Sequence, residues 1–217
     1  MTDSMTTAWL ATGVHMAWLG DDVVVLDVRS DAYSCVVDGG RHIRPSPRGL
    51  DAVDLVDDLI TDMTAAGLVT AVRPDDRRRQ APRPTRSTAP SHHERFGSAL
   101  RAGLASLEAG LLFRRLSLEA VVRPEGPRGM STPDRSRSPE DLVTAFLTAL
   151  PWVPGQGQCL QRAFALRRLL ARDGIQADWV FGVRTWPFLA HCWLQIDDLL
   201  LADDLDRVRG FTPILTT

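Results

Sequence analysis

Three residues of this chain have the types and the order needed for attack on a carbonyl carbon: Cys159, His191 and Asp203. Cys159 stands where the loop Pro151-Trp152-Val153-Pro154-Gly155-Gln156-Gly157-Gln158 gives way to an apolar-periodic helix. A free thiol has a pKa near ~8.5, so little of it is thiolate at neutral pH. A helix N-terminus offers unpaired N–H groups and partial positive charge, and both favour the anion. The glycines of the loop suit a backbone that must approach a substrate closely. The first helical N–H groups would also face an oxyanion formed by thiolate attack. Gln156 and Gln158 are equal candidates for a side-chain donor to that oxyanion.

The base must come from elsewhere. His191 lies 32 positions on, in Pro187-Phe188-Leu189-Ala190-His191-Cys192-Trp193, and Asp203 a further 12, in Leu201-Ala202-Asp203-Asp204. A three-residue loop, Ile196-Asp197-Asp198, would set Gln195 opposite Leu199, Trp193 opposite Leu201 and His191 opposite Asp203. Opposed residues share a sheet face, roughly 5 Å apart. The carboxylate could then hold the imidazole while the other ring nitrogen meets the thiol. A two-residue turn at Asp197-Asp198 would bring Asp204 there instead. Plainer readings compete. A helix cysteine is more often inert core than nucleophile. A histidine among Phe188, Trp193 and Leu194 is commonly just packed, and Asp203-Asp204 can cap a turn. Cys192 should point to the strand face opposite His191 and be structural. Cys35 has no acid–base neighbour in sequence, and His15, His42, His92 and His93 read as surface or loop residues.

Composition narrows the class. The chain has 217 residues, 44% hydrophobic, with net charge −2. That suits one medium or two small domains with a real core and argues against general nucleic-acid binding. All basic residues are arginines, which excludes Schiff-base chemistry and a Walker-type lysine. Three scattered cysteines without a CxxC fit neither a disulfide framework nor a zinc site. With no signal-peptide pattern and no long apolar run, the expectation is a reduced, cytoplasmic protein with no membrane segment and no nucleic-acid partner.

Three regions follow from the pattern, in an α+β chain. Residues 8–72 read as a small unit: a three-strand meander over His15–Leu19, Val23–Ser30 and Ala32–Val37, then a helix over Leu50–Met63 ended by Gly67. Residues 73–91, rich in proline and arginine (Arg77, Arg78, Arg79, Arg83, Arg86), read as a solvated linker. Residues 92–217 form the second unit. Glu94–Val122 is expected as one helix with Phe96, Leu100, Leu104, Leu107, Leu111 and Leu118 near one stripe, followed by a break at 124–133. A helix opened by Ser138-Pro139-Glu140-Asp141 runs to Leu150. The cysteine helix spans Cys159–Arg172 and is capped by Gly174. Strands are expected over Ala177–Val183, Leu189–Ile196 and Leu199–Ala202.

Taken together, Cys159-Leu160-Gln161-Arg162-Ala163, Gly182-Val183, Pro187 to Leu194, Asp203 and Phe211-Thr212-Pro213-Ile214 resemble the leader peptidase of lasso-peptide biosynthesis. This family, the lasso B protein, lies within the transglutaminase-like superfamily, and the resemblance covers residues 138–217. It implies a papain-like cysteine protease in which Cys159 attacks the bond joining leader to core, His191 moves the proton and Asp203 orients His191. The N-terminal unit resembles, more weakly, the winged-helix-like leader-recognition domain typified by the coenzyme PQQ chaperone, with three strands plus helices. There the leader adds as a strand to the third strand, here Ala32, Tyr33, Ser34, Cys35, Val36 and Val37, with a helical groove wall near Thr64–Val72. The resemblance implies two partners, the precursor's leader and an asparagine-synthetase-like lactam-forming cyclase. It also implies ATP-dependent processing. The chain has no phosphate-binding motif, so no cofactor is expected on it and any ATP requirement falls to the cyclase. Two positions depart from the family pattern: cysteine at 192, where a small residue is expected, and glutamine at 195, where an acid is common. The alternatives are an amidase or acyltransferase of the same fold, or a non-catalytic peptide chaperone.

Overall fold

Alternating apolar and polar residues write strands along the first part of the chain. In the computed structural model, which describes residues 4–76, 78–89, 96–123, 137–154 and 158–217, these are β1 (Met5–Leu10), β2 (Val14–Leu19), β3 (Asp22–Asp27) and β4 (Ala32–Val36). Then come β5 (Ile43–Pro45), β6 (Ala52–Val56), helix α1 (Asp57–Ala65) and β7 (Val69–Thr70). Arg77, His92, His93, Gln156 and the expected break at 124–133 lie outside the described residues. These elements fall in the first of two units, residues 1–80 with 183–189 and 212–215.

The expected meander is present as an antiparallel sheet of order β2-β3-β4, paired from Val14↔Asp27 through Asp27↔Ala32. A second sheet, of order β5-β6-β1-β7, adds strands the periodicity did not separate. Leu10, Val14, Val23, Val25, Val53 and Leu55 form the shared core. In place of three strands plus helices, residues 4–76 hold seven strands and a single α-helix. The helix expected from Leu50 begins only at Asp57. Apolar positions 52, 53, 55 and 56 fit a strand as well as a helix, and β1 decides between them by pairing Met5↔Val56 through Trp9↔Ala52. Val53 and Leu55 point inward, while Asp54 accepts from the hydroxyl of Thr7 at 2.7 Å. Asp57 and Asp58 then complement the helix N-terminus, and Gly67, at φ 69°, closes the turn after α1. The segment Thr64–Val72 is therefore a helix end, a turn and β7. It pairs with β1, not with β4.

Two expectations about charge are corrected in this unit. Arg78 is buried. It donates to the carbonyls of Val14 at 2.6 Å and Ala11 at 3.0 Å, and it pairs with Asp76 at 3.1 Å. Its guanidinium satisfies carbonyls at the β1–β2 turn, so this arginine is an anchor and not a solvating charge. His15 is half-buried on β2, not on the surface, and burial together with the charge of Arg78 lowers its pKa to about 3.

The second unit comprises residues 81–182, 190–211 and 216–217. Its elements, some ending in stretches counted with the first unit, begin with β8 (Arg86–Ser87), α2 (Phe96–Phe113), α3 (Leu118–Val122), α4 (Pro139–Ala149) and α5 (Cys159–Arg172). They continue with β9 (Asp178–Arg184), β10 (Leu189–Ile196), β11 (Leu199–Leu201), α6 (Leu205–Arg209) and β12 (Thr212–Thr216). The sheet order is β12-β9-β10-β11-β8, with β8 parallel to β11. The stretch expected as solvated linker thus supplies a strand. Arg86 pairs with Asp198 at 2.7 Å, and Ala81 is buried in a cluster with Val180, Trp193, Leu200 and Val208.

The expected long helix breaks after Phe113, and Ser117 caps α3 by accepting from the N–H of Ala120. Four leucines of α2 do not face the core. Leu100, Leu104, Leu107 and Leu111 are exposed, and Ala102, Ala105, Ser106 and Ala109 are buried instead. Small residues let α2 approach α4 and α5 closely, and that contact outweighs the leucine periodicity. α4 opens as expected, with a capping box between Ser138 and Asp141 and proline at the first position.

Candidate active site

Cys159 is the first residue of α5, so its own N–H is among those the helix leaves unpaired. Buried Phe164, Leu166, Leu169 and Leu170 hold the helix in the core. β10 brings His191 to the thiol, and the two side chains hydrogen-bond. His191 Nε2 meets Asp203 Oδ2 at 2.6 Å, which leaves Nδ1 for the thiol. The other carboxylate oxygen of Asp203 accepts from the N–H of Asp204 at 2.8 Å, so the carboxylate is fixed from both sides. His191 and Asp203 are each 12% exposed, dry enough for the pair to count electrostatically.

Asp203 reaches His191 by a route other than the expected register. β10 and β11 pair as Leu194↔Leu201, Gln195↔Leu200 and Ile196↔Leu199, the pattern of a two-residue turn at Asp197-Asp198. Continued, that register would set Asp204 opposite His191. The ladder stops at Leu201, however, and Ala202 takes φ 56°, turning the chain so that Asp203 swings onto the imidazole. Asp204 caps α6 instead, accepting from the N–H groups of Asp206 and Arg207.

The protonation states follow from these contacts. Hydrogen bonds from the thiol of Cys192 and from His191 outweigh burial and lower the Cys159 pKa to about 4. Burial disfavours the imidazolium, but hydrogen bonds to Asp203 and Cys159 overcome it and raise His191 to about 9. Burial likewise opposes ionisation of Asp203, and the bond to His191 outweighs it and holds the carboxyl below its ordinary value. A thiolate–imidazolium pair is the stable form at neutral pH.

Cys192, expected to be structural, is buried, and its thiol also lowers the Cys159 pKa. Its backbone N–H also stabilises the Cys159 thiolate, so two consecutive residues of β10 act on the thiol. The residue after the histidine was visible in the sequence; its action on the thiol was not. A cavity of about 210 Å3 opens over the pair, lined by Cys159, His191, Cys192 and Asp203 with Arg162 and Arg207. Arg162 stands one helical turn beyond Cys159, a spacing that could have flagged it. Arg207 lies 3.7 Å from Asp203. Gln158 precedes Cys159 as an exposed N-cap whose side chain makes no capping bond, and its rival Gln156 lies outside the described residues. Gln195, fully buried, accepts from Trp193 Nε1 at 2.8 Å and donates to the carbonyls of Pro82 and Asp197. Trp193 and Phe211 in turn flank the His191 ring, with centroids 6.2 and 5.4 Å away.

These two rings also explain Gly182. A methyl group there would lie 2.7 Å from Trp193 and 2.9 Å from the Phe211 side chain. Gly182→Ala is expected to cost about 1–3 kcal/mol in overpacking and to shift both walls of the histidine. Chemical denaturation together with the alkylation rate of Cys159 reads the two effects separately.

Residues 99–216 match the transglutaminase-like superfamily. The chain belongs to that superfamily. Cys159, His191 and Asp203 all lie within the matched span. Among curated proteins, 48 residues are 38% identical to the microcin J25-processing protein McjB of Escherichia coli, covering 22% of this chain and 23% of that protein. The match thus spans about a quarter of the relative's length. No solved structure gives a significant match. Among the described residues of this transglutaminase-like chain, no helix is long and apolar enough to cross a membrane. None of its described histidines, cysteines and acids gather in threes as a metal site would need.

The expected leader-binding residues lie elsewhere in the chain. Ala32, Tyr33, Ser34, Cys35 and Val36 form β4, the outer strand of the β2-β3-β4 sheet, and Val37 follows it. Val36 and Val37 are 38% and 58% exposed. Tyr33 packs on Phe188, with ring centroids 5.6 Å apart, and Trp186 Nε1 donates to Asp22 at 2.8 Å.

Proposed function

We propose that this chain is a lasso B protein: a cysteine peptidase that removes the leader from a ribosomally made lasso-peptide precursor. The observation that carries the reading is the linked Cys159–His191–Asp203 set inside the transglutaminase-like span. The similarity to a microcin-processing protein supports a precursor peptide as the substrate.

The Cys159 thiolate attacks the carbonyl carbon at the leader–core junction. The developing oxyanion meets the unpaired N–H groups at the start of α5. His191, held by Asp203, gives its Nδ1 proton to the departing core amine and leaves a leader thioester on Cys159. A water that loses its proton to His191 then hydrolyses the thioester and frees the leader. Because the thiol is already ionised, the first proton movement precedes attack. His191 therefore acts as acid first and as base second.

The leader is held by the first unit through strand addition to β4. An outer strand presents unpaired backbone groups on one edge, and exposed Val36 and Val37 offer apolar contact beside it. The helical groove wall expected from the resemblance has no counterpart at Thr64–Val72, so binding rests on the strand edge. The asparagine-synthetase-like cyclase is the partner that consumes the freed core and carries any ATP requirement.

The test is incubation of the full chain with its precursor, with and without cyclase and ATP, read by mass spectrometry. The expected products are two fragments, leader and core, from one cut. Intact precursor under both conditions contradicts the reading. Val36→Asp should weaken leader binding about tenfold, by removing apolar contact and placing a charge at the edge. Unchanged affinity in a binding titration removes β4 as the docking strand.

A further inference from the structure

The thiol beside the nucleophile has no part in peptide hydrolysis as derived above. Cys192 is 4% exposed, so reagents in bulk water do not reach it. Its sulfur is in hydrogen-bond contact with that of Cys159, and both line the same cavity. Cys159 is partly accessible, and Cys192 is not. A reactive thiolate with a second, protected thiol against it is the arrangement in which oxidation ends in a disulfide rather than in a sulfinic acid.

We propose that Cys192 is a resolving thiol that closes a reversible disulfide with Cys159 when a hydroperoxide oxidises the nucleophile. In the first step the Cys159 thiolate attacks the terminal peroxide oxygen. The O–O bond breaks, a proton is taken up, and the products are a Cys159 sulfenic acid and one water or alcohol. In the second step the Cys192 sulfur attacks the sulfenic sulfur. The S–S bond forms, the S–O bond breaks, and the Cys192 proton leaves with the hydroxyl as water. The peroxide is reduced by two electrons and the two thiols are oxidised by two. A dithiol reverses the reaction by thiol–disulfide exchange.

The surroundings favour the second step only after the first has occurred. In the resting site the hydrogen bond to Cys159 and then burial hold the Cys192 thiol protonated, and the negative charges of Cys159 and Asp203 add to this. Oxidation turns Cys159 into a neutral sulfenic acid and removes the two effects that come from its thiolate, leaving burial and the Asp203 charge. The buried indole Nε1–H of Trp179 lacks a well-formed hydrogen bond and lies beside the Cys192 sulfur, where it can stabilise the anion that attacks. Cys192 therefore rests as a donor that sharpens Cys159 and becomes a nucleophile when Cys159 is damaged. The third cysteine, Cys35, is exposed on β4 and lines no part of this cavity.

The experiment treats the full wild-type chain with one equivalent of hydrogen peroxide, blocks free thiols with iodoacetamide and digests it with trypsin without reduction. Mass spectrometry should find peptide 138–162 joined to peptide 185–207, at the summed mass less two hydrogens. Dithiothreitol followed by iodoacetamide under denaturing conditions should recover both cysteines in alkylated form. In Cys192→Ala and Cys192→Ser, Cys159 should pass to sulfinic and sulfonic acids and be lost to dithiothreitol recovery about tenfold faster. Wild-type chain that overoxidises as fast as these variants, or that links Cys35 in place of Cys192, overturns the proposal. The wild-type arm needs no variant to fold. No arm measures peptide cleavage, so failure here is distinct from failure of the peptidase reading.

Discussion

Cys159→Ala is expected to abolish precursor cleavage, by roughly 10^4-fold or more, because in the proposed mechanism it removes the group that bonds covalently to the leader. No neighbour can substitute. Cys192 is buried with its thiol held protonated, and a water in place of the sulfur would lack the thiolate's nucleophilicity. Folding should be little affected, since Cys159 is in the first turn of α5 and the buried residues of that helix run from Ala163 onward. Leader binding should persist, because β4 belongs to the other unit. Cleavage is read by mass spectrometry and binding by titration with labelled leader. A variant that binds leader but leaves the precursor whole is the expected pattern. Residual cleavage at the wild-type rate would move the chemistry to another residue.

Asp203→Asn is expected to lower cleavage by ~10^2-fold or more, through the histidine rather than the thiol. The carboxylate favours the imidazolium, so removing its charge lowers the His191 pKa from about 9. In the wild-type chain the active thiolate–imidazolium form is lost below about 4, where Cys159 takes up a proton, and above about 9, where His191 gives one up. The pH profile of kcat/KM should therefore be a broad bell between these limits, belonging to the pair rather than to either residue alone. In Asp203→Asn the alkaline limb should move toward neutrality, because His191 then loses its proton earlier. The acid limb should rise, because a weaker imidazolium supports the thiolate less. Asp204→Asn should leave both limbs in place, since Asp204 caps α6. An Asp203→Asn profile that only scales down, with both limbs unmoved, would mean that Asp203 holds structure and does not tune His191.

Much of the second unit was legible in the sequence because its signals are local. Ser138-Pro139 and the acids after it start α4, Gly174 at φ 77° follows α5, and the apolar runs Trp179-Val180-Phe181 and Cys192-Trp193-Leu194 mark β9 and β10. What the sequence hid was decided by distant partners. Ala52–Val56 is a strand because β1 pairs with it, and β1 lies about fifty residues earlier in the chain. The leucines of α2 point outward because alanines on the opposite face let three helices come close, and periodicity alone ranks leucine above alanine. Arg78 looks like a linker charge until the carbonyls of Ala11 and Val14 are seen around it.

The site shows the same division. Residue types and order singled out Cys159, His191 and Asp203, and the fold brings all three to one cavity. The register that would bring them together was misplaced, because a single left-handed residue, Ala202, undoes the register of the preceding ladder. Cys192 escaped because strand alternation sets it on the face opposite His191, whereas both residues act on the Cys159 thiol. The arginines at the cavity, Arg162 and Arg207, follow from helix spacing only once the nucleophile and the orienting acid are known.

The most direct test of Cys159 as the leader-cleaving nucleophile is covalent capture. A synthetic leader peptide ending in an electrophile, such as a C-terminal aldehyde or vinyl sulfone in place of the scissile carbonyl, is incubated with the full chain at neutral pH. Intact and peptide-level mass spectrometry should show one leader per chain, attached at Cys159 in peptide 138–162. The adduct should be absent in Cys159→Ala and slowed in Asp203→Asn. Label on Cys35, or labelling of Cys159 no faster by the leader-bearing electrophile than by the same electrophile without a leader, would contradict it.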